Sequence, residues 1–334
     1  MTTHPLPERS APQSLPWKTA PDFVTLLPAD SATGLGLIQV SGAEAGSFLH
    51  GQLTQDVTGL PEGQARWAGY CSAKGRLSAT ARMWQTSEGY WLAVSADLAA
   101  SLARRLSMFI LRAKAKVQDC SEQWVILGVM GVSAHEGVRQ WLNIDAAAQG
   151  RDSSDSVLSS EAGMQVGLPA LITPEGPLPR SLLIVPKDRL QSLPQAWQNE
   201  TPEHQRQWAQ AEILVAIVRI SASTSDCFVP QMVNFESVDG VNFTKGCYPG
   251  QEVVARSQYL GKLRRRMFLA QGQGLAPAPA SDVQIEGEAE PAGQFVMSAP
   301  LDHGFIALFE CRTDRVDQVG LQLLPLPYAL RAQD

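Results

Sequence analysis

The feature that most limits the fold of this chain is a change of pattern near residue 260. Before it, segments with apolar residues at helical spacing are interspersed with segments in which apolar and polar residues alternate. After it, only short apolar runs separated by glycine and proline continue to the C-terminus. Mixed helices and strands followed by strands alone predict an α+β body with a C-terminal all-β domain, either a barrel or a sandwich.

Several segments are regular enough to predict individual elements. Alternation from Trp67 to Val94 predicts paired strands, and Leu98, Leu102 and Leu106 within Asp97–Leu111 predict a helix. Ser41 and Glu44 have the spacing of a capping box. The sequence also predicts strands at 34–40, 116–119 and 124–130, helices ending near 142 and spanning 187–198 and 203–218, and a loop at 151–160.

The length of 334 residues is enough for about two domains. We expect a disordered leader over 1–21, a body over 22–260 and the all-β domain over 261–334. Apolar residues make up 44% of the chain and charged residues 18%, which excludes a disordered chain, a coiled coil or a disulfide-stapled miniprotein.

The sequence predicts a cytoplasmic protein. No apolar run approaches the roughly 20 residues that a membrane span needs, and the N-terminus lacks the hydrophobic stretch of a signal peptide. The five cysteines are scattered, odd in number and without a CxxC pair, so we expect free thiols in a reducing compartment. No histidine and cysteine spacing indicates a metal site.

Charge is unevenly distributed. The net charge of −6 argues against a general nucleic-acid coat protein, yet Lys245 to Arg266 holds six basic residues and a single acid, Glu252. The run from Lys262 to Arg266 fits either a charged strand edge that prevents aggregation or an anion site. Phosphate, the carboxylate tail of a small ligand and an acidic protein partner all remain open.

The segment from Lys245 to Glu252, Lys-Gly-Cys-Tyr-Pro-Gly-Gln-Glu, predicts a tight turn. With Pro249 as the first residue of a short helix, Cys247 would lie at that helix's N-terminus beside Lys245, and both effects would lower the pKa of the thiol. The alternative is a small buried side chain in a turn. Upstream, Asp239-Gly240 between apolar runs predicts a hairpin.

Several segments together resemble a known family. The Lys245–Glu252 motif continues as Val-Val-Ala-Arg to Arg256 and is preceded by Phe-Val-Pro-Gln at 228–231 and by Asn234. Two earlier segments, 48–57 and 71–76, belong to the same pattern. From about Gly34 to Tyr328 the chain resembles YgfZ-type folate-binding proteins, relatives of the glycine-cleavage T-protein.

The resemblance implies a ring-like, aminomethyltransferase-like body around a folate pocket, closed by a C-terminal β-barrel. It implies tetrahydrofolate or a related folate as cofactor. It also implies iron–sulfur assembly proteins or cluster-containing client enzymes as partners, including one that modifies tRNA. Carried over residue by residue, it assigns Cys247 and Lys245 a catalytic or redox role and gives these residues to folate: Trp208, Gln231, Asn234, Tyr248, Gln251 and Arg256.

The chain departs from the wider superfamily at several positions. Ser78 and Ala79 stand where aminomethyltransferases carry an aspartate, so no carboxylate organises proton transfer there. A pterin-binding glutamate is replaced within Leu214–Val218, and Glu212, two positions away, is expected on a different helix face. Leu35 replaces an aromatic residue near the first strand. Trp208 remains able to stack on a pterin.

Three functions stay open from the sequence. The first is a folate-dependent accessory factor in iron–sulfur cluster assembly or repair. The second is a folate-dependent aminomethyl or one-carbon transferase, which the missing aspartate opposes. The third is an RNA-binding module that uses Lys262 to Arg266, which the acidic remainder of the chain and the scarcity of interleaved aromatic residues oppose.

Overall fold

The computed structural model describes residues 16–17, 19–144, 154–198, 201–259 and 263–331. Most of the predicted leader, part of the 151–160 loop, Lys262 and the 260/261 domain boundary lie outside the described residues. Within the predicted leader, Trp17 is half-buried against the main core, and its indole N–H donates to Gln210 Oε1 at 2.6 Å.

The described residues form strands and helices that lie largely where the periodicity predicts them. In chain order they are β1 (Phe23–Leu26), β2 (Leu35–Ser41), α1 (Ala45–His50), β3 (Ala65–Cys71), β4 (Leu77–Thr86), β5 (Gly89–Ser95), α2 (Ala96–Met108), β6 (Lys116–Asp119), β7 (Trp124–Met130), α3 (Val132–Trp141), β8 (Val157–Ser160), β9 (Gly163–Thr173), β10 (Gly176–Pro186), α4 (Gln195–Gln198), α5 (Pro202–Leu214), α6 (Gln251–Tyr259), β11 (Arg265–Gly272), β12 (Asp282–Val283), β13 (Gly293–Pro300), β14 (Phe305–Arg312) and β15 (Gln322–Leu324).

The strands form three antiparallel sheets of five strands. The first sheet has the order β3-β4-β5-β2-β6, the second β1-β7-β10-β9-β8 and the third β12-β13-β14-β11-β15. The main core joins apolar residues of all three sheets, and a separate cluster around Phe295, Phe305 and Phe309 fills the third. The α+β body with a C-terminal all-β domain is therefore confirmed.

Strands β9 and β10 have no counterpart among the predicted elements. They form a hairpin in which Thr173 faces Gly176 across a two-residue loop. Both faces of β10 are buried, because Leu182 and Ile184 join the main core while Leu183 and Val185 join a second cluster with α3. Strands buried on both faces lose the alternation of apolar and polar residues that would identify them.

The capping box predicted for the first helix is wrong. Ser41 is the last residue of β2 and pairs with Lys116 of β6. The carboxylate of Glu44, the residue at the helix start, instead accepts the backbone N–H of Lys114 at 2.6 Å. A hydrogen bond between Glu44 and a residue 70 positions away in the same chain therefore replaces the local reciprocal bonds of a capping box.

The prediction of a hairpin at Asp239-Gly240 is also wrong, since residues 230–248 form a short 3-10 helix and successive turns. Asp239 takes a left-handed conformation, with φ 59°, and the Gly240 N–H donates to the Phe235 carbonyl. A Cβ on Gly240 would lie 2.5 Å from the Phe235 ring. The glycine is thus needed for close packing, not for reversing a pair of strands.

Two helical segments are shorter or less regular than predicted. Residues 187–198 form a 3-10 helix over Lys187–Ser192 followed by the single turn of α4. Helix α5 ends at Leu214, because Ala216 has a φ of 54° that no α-helix continues. Part of the predicted 151–160 loop is strand β8.

Candidate functional site

The motif segments 48–57, 71–76 and 242–254, far apart in sequence, meet in one place, which we call the motif junction. The turn after β3 packs directly on the turn before α6. A Cβ on Gly250, whose φ is 75°, would lie 2.4 Å from the Ser72 carbonyl oxygen, and a Cβ on Gly75 would lie 2.7 Å from Val253. The motif glycines therefore allow two backbones to touch.

Lys245 fastens the junction to the end of α1. Its ammonium Nζ donates to the carbonyl oxygens of His50 at 2.6 Å and Leu53 at 3.0 Å, and lies 4.8 Å from the centre of the Tyr248 ring. Burial, partly offset by the charges of Asp56 and Cys247, lowers the pKa of Lys245 to about 8. The Lys245 ammonium thus binds carbonyl oxygens at and just after the C-terminal end of α1.

Cys247 is solvent-exposed and all five cysteines are unpaired. Helix α6 begins at Gln251, so the prediction that Pro249 starts the helix is wrong. Pro249 and Gly250 form a turn instead, and Cys247 precedes the helix by that turn. The role predicted for its thiol stays a prediction.

Some of the other motif residues are buried and hydrogen-bonded within the protein, and others lie at its surface. Gln231 and Asn234 are fully buried, and their side-chain amides donate to the carbonyls of Val254 and Met267, both at 2.8 Å. Tyr248 is buried, and burial raises the pKa of its phenol. Gln251 is half-buried and Arg256 is exposed on α6. Their assignment to folate stays a prediction.

A cavity lies between the first and second sheets, and we call it the arginine cavity. The face of β4 that carries Thr80 and Arg82 forms one wall, and Arg180 and Leu182 of β10 form another. The end of α5 and the segment that follows it form a third wall. Its other lining residues are Leu35, Trp67, Ala93, Val94, Leu168, Pro169, Glu212, Val215, Ile217, Val218 and Arg219.

Arg82 and Arg180 are unusual because both guanidinium groups are almost completely buried. Arg82 Nη2 reaches from the first sheet to the second, donating to Asp155 Oδ1 at 2.7 Å and to the Gly167 carbonyl at 3.0 Å. Its guanidinium also lies 5.2 Å from the centre of the Trp67 ring. Burial lowers the pKa of both arginines, and the neighbouring carboxylates oppose that shift.

Glu212 faces this cavity, whereas Leu214, two positions further along the same helix, is not part of its lining. Its Oε1 accepts from Arg180 Nη2 at 2.9 Å, and its Oε2 lies 3.4 Å from Arg219 Nε. Helix α5 ends two residues later, and the chain then leaves the helical path at Ala216. Glu212 and Leu214 both precede this break, so they lie on different faces of α5, as the sequence predicts.

Trp208 lies behind the cavity wall. It is fully buried, the Arg180 guanidinium lies 4.6 Å from its ring centre, and Gly128 packs against its ring. The Trp208 ring therefore packs against the Arg180 guanidinium and helps to hold it in the cavity wall. Its role in binding folate stays a prediction.

Comparisons with known proteins give the family of this chain. Residues 30–155 match the family model described as the GCVT N-terminal domain. The chain is 29% identical over 311 residues to the tRNA-modifying protein YgfZ of Vibrio vulnificus strain CMCP6, covering 89% of this chain and 90% of the relative. It is 31% identical over 273 residues to the tRNA-modifying protein YgfZ of Colwellia psychrerythraea, covering 80% of each. The chain belongs to the YgfZ family.

The fold extends beyond this YgfZ family. The structure is similar to glycine cleavage system aminomethyltransferase T from Bartonella henselae, with a TM-score of 0.69 over 94% of this chain and 88% of that chain. The identity is only 14%, so the likeness concerns the fold. The side chains of the cavity must be judged on their own chemistry.

The arginine cavity has the chemistry that a pterin needs. Within the part of the chain that the structure describes, Trp67 Nε1, Arg82 Nε and Arg180 Nε are buried donors with no hydrogen-bond partner. Buried polar groups are normally paired, so these atoms indicate room for an acceptor. Trp67 offers an aromatic face, and Glu212 offers a carboxylate to ring N–H groups. The residues present therefore match the chemistry of the folate that the YgfZ resemblance implies, while the free space among them, about 40 Å³, requires the walls to move apart before a pterin enters.

Sequence reasoning missed Trp67, Arg82 and Arg180 as cavity residues. Trp67 and Arg82 lie in strands that the alternation identifies, but no local motif surrounds them. Arg82 is the one charged residue of β4, and this was the available signal there. Arg180 lies on the strand that escaped prediction.

The structure also bears on membrane and metal sites. No helix among the described residues is long and apolar enough to cross a membrane. In those same residues, no three histidine, cysteine, aspartate or glutamate side chains come together as a metal site.

Proposed function

We propose that this chain is a cytoplasmic folate-binding accessory protein that supports the assembly or repair of iron–sulfur clusters in client enzymes, among them a tRNA-modifying enzyme. The observation that carries the proposal is the arginine cavity, where Trp67, Arg82, Arg180 and Glu212 combine an aromatic face, unpaired donors and a carboxylate. The YgfZ relatives are named tRNA-modifying proteins, which supports the client class.

Tetrahydrofolate is the cofactor in this proposal, and it would supply a carrier of one-carbon units. Glu212 would accept hydrogen bonds from the pterin ring, and Trp67 would stack against it. The cavity holds three arginines against the carboxylates of Glu212 and Asp155, an excess of one positive charge. That excess favours a ligand that carries a carboxylate tail.

Cys247 is the residue that would contact an iron–sulfur cluster or the client protein in this proposal. Its side chain is exposed, whereas those of the other four cysteines are buried or half-buried. A thiol in that position can contact a partner protein or a cluster that the partner carries, because it is exposed to solvent.

Calorimetry with tetrahydrofolate tests the binding half of the proposal. Trp208→Ala is a poor variant, since removing a fully buried indole costs about 3–5 kcal/mol of stability. Trp67 is only half-buried, so Trp67→Leu should remain folded and lower the affinity by about tenfold. Unchanged affinity in Trp67→Leu would remove that ring from the site, and absence of binding by the wild type would refute the folate claim.

A genetic experiment tests the cluster half. Cys247→Ser removes the thiol with little change of volume at an exposed position, so folding and tetrahydrofolate binding should survive. Activity of a cluster-dependent tRNA-modifying enzyme under oxidative stress should fall in cells with this variant. Cys227→Ser, at the half-buried cysteine, is the matched control. Full enzyme activity with Cys247→Ser would show that the thiol is dispensable.

The transferase alternative receives less support. Ser78 stands at the position of the missing aspartate, and the Asp226 carboxylate that accepts its hydroxyl at 2.6 Å lies at the protein surface, outside the arginine cavity. Purified protein should show no aminomethyl transfer to tetrahydrofolate above background. Turnover with a lipoyl-bound aminomethyl donor would establish the transferase instead.

A further inference from the structure

We propose that the surface formed by the end of α2, residues 109–115 and strand β6 binds an extended, acidic segment of a partner protein. We call it the α2–β6 surface. Three large apolar side chains stand out from it: Met108 is 76% exposed, Phe109 48% and Leu111 88%. Single exposed apolar residues are ordinary, but three within four positions form a patch of the kind that marks an interaction site.

The surface is also strongly basic. From residue 98 to residue 118 the chain has five basic residues and no acid, in a protein of net charge −6. Arg105 is engaged with the Tyr70 hydroxyl, while Arg104, Arg112, Lys114 and Lys116 are exposed and form no ion pair with a described residue. Two acids adjoin these five cations: Asp119 lines the groove with its Oδ1 bonded by Ser121, and Glu44 Oε2 accepts the Lys114 backbone N–H at 2.6 Å. The patch therefore complements an acidic ligand.

The shape of the surface favours a peptide chain. Strand β6 is the edge strand of the first sheet, paired on one side with β2. Beside it runs a groove lined by apolar atoms of Ala103, Met108 and Val117. An added strand would hydrogen-bond to the edge, and its alternate side chains would enter the groove.

Other occupants fit this surface less well. Two copies of the chain pairing through β6 would bring five cations against five, which disfavours self-association. A single-stranded nucleic acid uses several aromatic rings for stacking, and Phe109 is the one aromatic side chain exposed here. A lipid surface forms no directional bonds with a strand edge. An acidic segment with apolar residues at every second position satisfies all three features.

Fluorescence anisotropy with a synthetic probe tests the proposal on the full-length protein. The probe is a labelled peptide of about ten residues, a long natural strand, in which glutamate and valine alternate. A peptide with lysine in place of glutamate is its control. The wild type should bind the acidic peptide and not the basic one, and rising salt should weaken binding.

Matched variants locate the binding. Met108→Gln with Leu111→Gln, and separately Lys114→Glu with Lys116→Glu, should each weaken binding by about tenfold. Leu275→Gln, at a similarly exposed leucine of the C-terminal all-β domain, should have no effect. All variants should keep tetrahydrofolate affinity, so this test is independent of the folate proposal.

Three outcomes would overturn the proposal. The first is equal binding of both peptides, and the second is binding of neither. The third is that the two double variants lose binding to tRNA or to anionic vesicles while they keep their binding to the acidic peptide.

Discussion

At the scale of single residues, Lys245 shows how the motif uses its charge. The ammonium is held by two backbone carbonyls and an aromatic face, and burial lowers its pKa to about 8 from an ordinary 10.5. The lysine therefore joins α1 to the motif junction. The same placement lets the ammonium influence Cys247, with which it interacts electrostatically.

The first prediction concerns this titration. In protein whose lysines carry ¹³C-methyl labels, the Lys245 resonance, assigned by its loss in Lys245→Met, should titrate near pH 8. The folded protein releases this proton before the unfolded chain does, so the free energy of unfolding of the wild type should rise, relative to Lys245→Met, as the pH goes from about 8 to 10.5. A midpoint near 10.5 would show that the ammonium is not desolvated.

The second prediction concerns thiol reactivity. Cys247 is exposed, Cys227 is half-buried with its pKa raised by burial, and the remaining three cysteines are buried. Iodoacetamide near neutral pH should therefore alkylate Cys247 first, as peptide mass spectrometry would show. Faster labelling of Cys227 would contradict the assignment of Cys247 as the reactive thiol.

At the scale of elements, the turn before α6 fits only if Gly250 lacks a side chain. The third prediction is that Gly250→Ala destabilises the protein by about 2–4 kcal/mol, since it combines a positive φ with a Cβ 2.4 Å from the Ser72 carbonyl oxygen. Gly274→Ala, with φ 87° and open space around it, should cost only about 1 kcal/mol. Equal losses in urea denaturation would mean that the contact between the turns is unimportant.

The end of α5 sets the charge of the arginine cavity. The fourth prediction is that Glu212→Gln lowers stability by about 2–4 kcal/mol, because Arg180 remains buried without its carboxylate. The same variant should weaken tetrahydrofolate binding. On the same helix, Glu203→Gln removes an exposed partner of Arg206 and should change stability by less than about 1 kcal/mol. Similar small effects in both would show that Glu212 does not balance the buried arginine.

Most elements were predictable because they carry their own periodicity. Strands β6 and β7 and helices α2 and α3 lie where alternation or helical spacing puts them. The misses have physical causes: β10 is buried on both faces, and Glu44 bonds to Lys114, a residue far along the chain. The Asp239-Gly240 turn packs on Thr54 and Gln55, an arrangement that no local pattern encodes.

At the scale of the whole molecule, the two candidate sites differ in how sequence reveals them. The motif junction consists of residues in short, glycine-rich segments, so the resemblance finds it. The arginine cavity draws Trp67 and Arg82 from the first sheet and Arg180 from the second. It exists only after the two sheets meet. Folding, not motif, brings the unpaired donors and Glu212 together.

Arg82 also has a role in the assembly of the body. It extends from β4 in the first sheet to the backbone of β9 in the second, beside the Asp155 carboxylate. One buried side chain thus binds both walls of the cavity. A ligand in that space would contact both sheets at once, which explains how folate binding would stabilise the whole body.

The most direct measurement is a crystal structure of the protein soaked with 5-formyltetrahydrofolate, a stable reduced folate. The account predicts the pterin ring in the arginine cavity, beside Trp67 and within hydrogen-bond distance of Glu212, Arg82 or Arg180. Glu212→Gln crystals under the same conditions should show weaker density there. A folate bound at the motif junction alone, or an unchanged cavity at ligand concentrations that saturate binding in solution, would contradict it.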